Sequence, residues 1–117
     1  MNPNLIGAFG EYTAVRALRS KGYDIFATNY STKVGEVDII AFYKGYLCFV
    51  EVKTRNENAM FNPADAVDYH KQENIKSVAA SYMNKYNYKM TPRYDIFEVY
   101  LDDNQKVTRC NHIKNAF

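Results

Sequence analysis

Apolar residues recur with helical spacing at the beginning of the chain. Between Asn4 and about Lys21 they stand three or four positions apart, at Leu5, Ala8, Phe9, Tyr12, Val15 and Leu18. Gly22 follows where such a helix would end. The pattern predicts a first amphipathic helix, followed by a short strand from residue 23 to about residue 30 and a loop to Gly35.

Two segments rich in β-branched and aromatic residues come next. Glu36–Tyr43 and Tyr46–Thr54 are separated only by Lys44 and Gly45. Alternating apolar residues on both sides of so short a connection are typical of a β-hairpin. We therefore predict two antiparallel strands joined by a two-residue turn.

The second half of the chain begins with a helix-start signal. Asn62 offers an N-cap, Pro63 suits the first helical position, and Asp65 places an acid in the first turn. The apolar spacing that follows predicts a helix to about Tyr86, with a break near Tyr69.

Two more strands are predicted at the end, Arg93–Leu101 and Lys106–Ile113, joined by a turn at residues 102–104. The predicted order is α-β-β-β-α-β-β, which favours an α/β fold with a mixed central sheet flanked by helices. A chain of 117 residues without a linker or repeat fits a single domain over residues 1–117.

Amino-acid composition indicates the compartment and the kinds of partner to expect, but it does not give the function. A formal charge of +2 permits contact with a polyanion but does not require it. Cys48 and Cys110 have neither zinc-site spacing nor the number that a disulfide framework needs. The first residues lack the pattern of a signal peptide, and no apolar run is long enough to span a membrane. We expect a soluble cytoplasmic protein.

Charged residues are concentrated at one end of the predicted hairpin. Counting back from the two-residue turn places Asp38 opposite Glu51, and Glu36 opposite Lys53. The reverse face pairs only apolar residues: Ala41 with Cys48, Ile39 with Val50, and Val37 with Val52.

Two opposed carboxylates need a counter-ion. Side chains opposed in this way have Cβ atoms about 4.5–5.5 Å apart, and like charges there are destabilising. Two acids beside a lysine suit a hard divalent cation, and magnesium is the expected one. The alternative is a solvated strand end, where Glu36 and Lys53 form a surface ion pair worth under about 1 kcal/mol. That alternative explains one charged pair more easily than two opposed acids, and it stays open.

These residues also resemble a known pattern. Asp38 followed by Glu51-Val52-Lys53 resembles the D…(D/E)-x-K signature of the PD-(D/E)XK nuclease superfamily, whose restriction-endonuclease-like core has the predicted element order. Residues 35–41 and 49–55 more closely resemble the YraN-like family of uncharacterised bacterial proteins, which are related to Holliday-junction resolvases. The likeness extends over nearly the whole chain, including Gly10-Glu11 in the first helix.

The resemblance implies a set of roles at these positions. Asp38, Glu51 and the backbone carbonyl of Val52 would bind Mg²⁺, with Mn²⁺ able to substitute, and Lys53 would orient water or stabilise charge on the phosphate. Glu11 would be an auxiliary acid, and its place on the helix side of Ala8, Val15 and Leu18 favours an inward position, with a helix-surface glutamate as the alternative. The implied reaction is metal-dependent hydrolysis of a phosphodiester bond.

The implied partner is DNA, in branched or repair structures, and the resolvase likeness implies a homodimer. Lys33, Arg55, Lys71 and Gln72 are the candidate nucleic-acid contacts, although such residues are also ordinary on solvated helices and loops. Two other classes of function remain open. In the first, the chain is a non-catalytic protein that uses the same fold to bind nucleic acid or a partner. In the second, it is an assembly protein whose acids are vestigial.

Overall fold

A computed structural model of the chain describes residues 2–59 and 67–117. The elements are α1 (Pro3–Ser20), β1 (Asp24–Ser31), β2 (Glu36–Tyr43), β3 (Tyr46–Asn56), α2 (Tyr69–Lys85), β4 (Thr91–Leu101) and β5 (Val107–Ile113). Their order confirms the predicted α-β-β-β-α-β-β. The helix start predicted at Asn62 lies outside the described residues, and α2 begins where the break was predicted, with Asp68 as its N-cap.

The five strands form one mixed sheet in the order β1-β2-β3-β4-β5. All neighbouring strands are antiparallel except β3 and β4, which are parallel. Parallel neighbours need a long crossover connection, and α2 lies within that connection. The sheet therefore places β3, the strand of Glu51, at its centre.

The two helices cover opposite faces of the sheet, as predicted. Ala14 and Leu18 of α1 are buried in one apolar cluster with alternate residues of β2, β3 and β4. Ile75 and Val78 of α2 are buried in a second cluster on the other face. Neither described helix has the length and apolar character needed to cross a lipid bilayer.

Helix α1 approaches the sheet closely at Gly10. A Cβ atom on Gly10 would lie 2.0 Å from Oγ1 of Thr54 on β3, which is far inside van der Waals contact. Only a residue without a side chain permits this approach. The next residue, Glu11, is therefore held near the sheet and is half-buried.

The predicted hairpin register is confirmed near the turn. Lys44 and Gly45 have positive φ angles of 47° and 88°, as two-residue hairpin turns require. Tyr43 lies opposite Tyr46, and the pairing continues to Ile39 opposite Val50.

Beyond Ile39 the register prediction is wrong. Within the described strands the β2–β3 pairing ends at Ile39 and Val50, so the predicted pairs Asp38–Glu51, Val37–Val52 and Glu36–Lys53 do not form. Val37 packs in the cluster on the α2 side instead. The physical reason is that Oδ2 of Asp38 accepts the backbone N–H of Val52 at 2.8 Å, in place of a backbone carbonyl. The two strands consequently part at Asp38.

Candidate metal centre

The parting of β2 and β3 leaves a cleft on the side of the sheet that α2 covers. The cleft has a volume of about 220 Å³. Seven residues line it: Gly35, Glu36, Asp38, Glu51, Lys71, Asn74 and Ile75. It brings together the two acids predicted to meet and adds Lys71 from α2.

Asp38 is held there at an electrostatic cost. Burial, followed by the charge of Glu51, raises the pKa of the Asp38 carboxyl to about 7. The hydrogen bond from Val52 lowers this pKa, while the charge of Glu11 raises it further. The ionised form of this carboxylate is therefore disfavoured. A cation bound in the cleft would stabilise that form.

Glu51 lies between two ammonium groups. Its side chain is only 7% exposed, and its Oε1 accepts a hydrogen bond from Nζ of Lys71 at 2.5 Å. Nζ of Lys53 is 4.0 Å from the same oxygen. Burial lowers the pKa of Lys71, but the hydrogen bond and charge of Glu51 outweigh it and raise that pKa above its usual value. Glu51 is therefore directly charge-compensated, whereas the charge of Lys71 lowers the pKa of Asp38 less than burial and Glu51 raise it.

Helix α2 positions its part of the cleft through its first turn. The side chain of Asp68 accepts the backbone N–H of Lys71 at 2.8 Å, which fixes the beginning of the helix. Asn74 lies one turn further along the same side of the helix. A Cβ atom on Gly35 would lie 3.4 Å from Cβ of Asn74, so the loop before β2 packs close to this helix.

Arg55, a predicted nucleic-acid contact, bridges two strands instead of standing apart. Its Nε donates to Oε2 of Glu98 on β4 at 2.8 Å. Glu98 also accepts from Nδ2 of Asn111 on β5 at 2.9 Å. Burial would raise the pKa of Glu98, but the hydrogen bonds from Asn111 and Arg55 lower it. Arg55 thus joins a polar cluster, two residues beyond Lys53 and on the same face.

The other predicted residues take separate positions. Glu11 lines a second hollow, of about 300 Å³ between α1 and β1, and acts on Asp38 through its charge. Lys33 is exposed in the loop before β2. Nε2 of Gln72 donates to the carbonyl of Val67 at 2.9 Å, and so caps the chain that enters α2.

The donor set suits magnesium better than zinc. Among residues 2–59 and 67–117, no three acidic, histidine or cysteine side chains are grouped as a metal cage would require. Mg²⁺ is commonly held by one or two carboxylates and keeps several waters. Asp38 and Glu51 fit that requirement, while the carbonyl of Val52 as a third ligand stays a prediction.

A buried polar network around one acid, Asp95, occupies the opposite face of the sheet. Asp95, with 0% exposure, accepts hydrogen bonds from Nε and Nη2 of Arg93 at 3.0 and 2.8 Å. Nε2 of His112 lies 2.8 Å from its Oδ2, and the backbone N–H of Asn115 donates to its Oδ1 at 3.0 Å. Burial would raise the pKa of Asp95, but these partners lower it below its usual value. His112 is thus part of a buried structural network.

Sequence reasoning missed Asn74 and Glu98 as neighbours of the site. Asn74 could have been found from its spacing of three residues after Lys71 on a helix. Glu98 is a charged residue between the apolar Phe97 and Val99 of a predicted strand, a signal similar to the one that singled out Glu51. Its pairing with Arg55 depends on the β3–β4 register, which the sequence does not contain.

Comparison with known proteins gives one consistent family. A family model described as "Uncharacterised protein family UPF0102" matches residues 10–99. The chain is 45% identical over 120 residues to a UPF0102 protein of Caldanaerobacter subterraneus subsp. tengcongensis, covering 100% of this chain and 98% of the relative. It is 44% identical over 118 residues to a UPF0102 protein of Clostridioides difficile, covering 100% of both. These names describe no activity.

Proposed function

The chain belongs to the uncharacterised protein family UPF0102, as its YraN-like residues indicated, and we propose that it is a magnesium-dependent endonuclease that hydrolyses phosphodiester bonds in DNA. One observation carries the proposal. Asp38, whose pKa is raised to about 7, shares a cleft with Glu51 and a lysine. Raised pKa values of this kind are concentrated at functional sites.

Asp38 and Glu51 are the residues that would hold Mg²⁺ or Mn²⁺, together with the carbonyl of Val52. The bound ion would polarise a phosphoryl oxygen and lower the pKa of a coordinated water. The side chain of Lys53 is 25% exposed and 4.0 Å from Glu51, so its ammonium can reach beyond the acid toward solvent. We assign Lys53 to orienting the attacking water or to stabilising charge on the phosphate.

The cations around the cleft support a polyanionic substrate. Lys71 reaches the cleft from α2, and exposed Lys33 lies in the loop before β2. Ammonium groups bind phosphates largely without regard to base sequence, which suits recognition of DNA by its backbone. By resemblance to the resolvases, we propose branched or repair DNA as the substrate and a homodimer as the active form. We place this activity in the cytoplasm, where the free thiols of Cys48 and Cys110 would stay reduced.

The test is cleavage of junction, flap, single-stranded and duplex DNA with Mg²⁺ or Mn²⁺. Asp38→Asn, Glu51→Gln and Lys53→Met should each lower the rate by about 100-fold or more. Asp24→Asn changes an exposed acid on β1 and should leave the rate unchanged. Cleavage that survives in Asp38→Asn and Glu51→Gln would contradict the proposal.

The same substrates separate the competing class of function. A non-catalytic binding protein would bind junction or duplex DNA tightly, without cleavage and with the same affinity in Asp38→Asn as in the wild type. That result would replace the nuclease with a binding module on the same fold.

A further inference from the structure

Lys71 is a cation in the first turn of helix α2, where helix electrostatics disfavours one. The N-cap Asp68 supplies a negative charge at this end of the helix, but the first turn itself contains no acid. Lys71 stands in that turn, with its backbone N–H held by Asp68. A residue that departs from the local rule in this way points to a role set by a partner elsewhere in the fold.

That partner is the buried acid of the cleft. Nζ of Lys71 donates to Oε1 of Glu51 at 2.5 Å, while the lysine side chain stays 44% exposed. The lysine therefore reaches from solvent onto an acid that is only 7% exposed. Lys53, which is 4.0 Å from the same oxygen, makes no comparably close contact with it.

The contact uses the same chemical group that a metal ion would need. Oε1 of Glu51 uses a lone pair to accept the hydrogen bond from the ammonium of Lys71. A divalent cation binds carboxylates through the same lone pairs. A cation between Asp38 and Glu51 would also meet the positive charge of Lys71 in a small, partly buried volume, where charges interact more strongly than in water.

We infer that the ammonium of Lys71 and the divalent cation compete for Glu51. Lys71 keeps the carboxylate compensated until the ion binds, and ion binding then releases the ammonium toward the mouth of the cleft. There it donates to a phosphate oxygen of the substrate, while Asp68 still fixes its backbone. This inference rests on the proposed function, because it takes Glu51 as a ligand of the ion.

Calorimetric titration with MgCl₂ tests the competition. Wild type, Lys71→Met and Lys85→Met are compared at pH 8.5, where Asp38 carries most of its charge. Loss of a competing, partly exposed ion pair should lower the Kd for Mg²⁺ by about three- to tenfold in Lys71→Met. Lys85→Met, the matched control, removes an exposed lysine in the last turn of the same helix and should change it by under about twofold. Lys71→Arg keeps the positive charge and should stay near the wild-type value.

A second readout follows the lysine itself. With the lysine side chains ¹³C-labelled, Mg²⁺ should move the Cε signal of Lys71 toward that of a solvated lysine. Lys33, exposed before β2, should not respond. If Lys71→Met is poorly folded by circular dichroism, Lys71→Gln takes its place in both experiments.

The outcomes distinguish a failure of this inference from a failure of the proposed function. Mg²⁺ binding to Lys71→Met with equal or weaker affinity, and a Lys71 signal that ignores Mg²⁺, would overturn the competition but leave the metal site. Failure of both the wild type and Lys71→Met to bind Mg²⁺ would overturn the proposed function and, with it, the inference.

Discussion

Two aspartates on opposite faces of the sheet are buried to similar effect but differ in their partners. Burial acts to raise the pKa of both Asp38 on β2 and Asp95 on β4. Asp95 receives two hydrogen bonds from Arg93, one from Asn115 and a contact from His112, and its pKa is lowered.

Asp38 receives the N–H of Val52 and has acids as neighbours, and its pKa is raised to about 7. The difference teaches that burial alone does not identify a functional acid. What distinguishes the two is how much positive charge the protein places beside each acid: Arg93 bonds Asp95 directly, whereas the charge of Lys71 is the weakest of the main influences on the pKa of Asp38. Asp95 is satisfied by the fold and stabilises it, whereas Asp38 is the acid for which we propose a divalent cation.

The largest expected effect on stability is that of changing Asp95. Asp95→Asn should lower the free energy of unfolding at pH 7 by about 3 kcal/mol or more, because it leaves the guanidinium of Arg93 buried without its ion pair. The pKa of Asp95 is lowered in the folded protein, so its contribution is present above the ordinary pKa of an aspartate and is lost as the pH falls below it. Urea denaturation measures this loss.

Asp24→Asn is the control for that measurement, since Asp24 is an exposed aspartate at the start of β1. It should change the free energy of unfolding by under about 0.5 kcal/mol. A loss of similar size in Asp95→Asn would mean that the Asp95 cluster contributes no more than a surface charge.

The next effect concerns the close approach of α1 that brings Glu11 toward Asp38. Gly10→Ala places a methyl group against Thr54 and should cost about 1–3 kcal/mol of unfolding free energy. Thr54→Ala removes the obstructing hydroxyl, so the double variant should recover part of the loss. If the two losses simply added, the contact between these residues would not be the cause.

Asp38→Asn should have the opposite sign. The folded pKa is raised above the unfolded one, so the folded state is destabilised increasingly as the pH rises between the two values. At pH 8 the asparagine variant should therefore be more stable than the wild type by about 1–2 kcal/mol, and the advantage should shrink toward pH 4. Thermal or urea unfolding across this range checks the sign.

Mg²⁺ sharpens that comparison, because it should stabilise the wild type and not Asp38→Asn. Asp24→Asn, which changes an exposed acid on β1 outside the cleft, serves as the control. If Asp38→Asn were less stable than the wild type at pH 8 without metal, the ionised carboxylate of Asp38 would not destabilise the folded protein, and this interpretation would be wrong.

The smallest effect is expected from Glu11→Gln. Glu11 is one of the lesser causes of the raised pKa of Asp38, so its neutralisation should lower that pKa only slightly. Carboxyl ¹³C titration by NMR would detect it. A rise in the pKa of Asp38 would show that Glu11 acts through structure and not through its charge.

The sequence foretold much of the hairpin, because a two-residue turn and period-two alternation fix the register as far as Ile39 and Val50. The prediction failed at Val37. There the side chain of Asp38 takes the place of a backbone acceptor, and the pattern of apolar residues does not indicate such an exchange. The ion pair of Lys71 with Glu51 was out of reach because it depends on how α2 crosses the sheet.

The network around Asp95 was missed for a similar reason. Arg93 and Asp95 are two residues apart on one strand, and their spacing alone places them on one face. His112 joins them only through the β4–β5 pairing, which puts it opposite Phe97. Adjacent-strand register, rather than local pattern, decides which acid is satisfied and which is left uncompensated.

The most direct test of the metal centre is the titration of the Asp38 carboxyl by ¹³C NMR, with and without Mg²⁺. We expect a pKa of about 7 without the ion, as the burial of Asp38 beside Glu51 dictates. Saturating Mg²⁺ should lower that pKa to below about 5, since a bound cation favours the ionised carboxylate. An ordinary aspartate pKa that does not respond to Mg²⁺ would contradict the account.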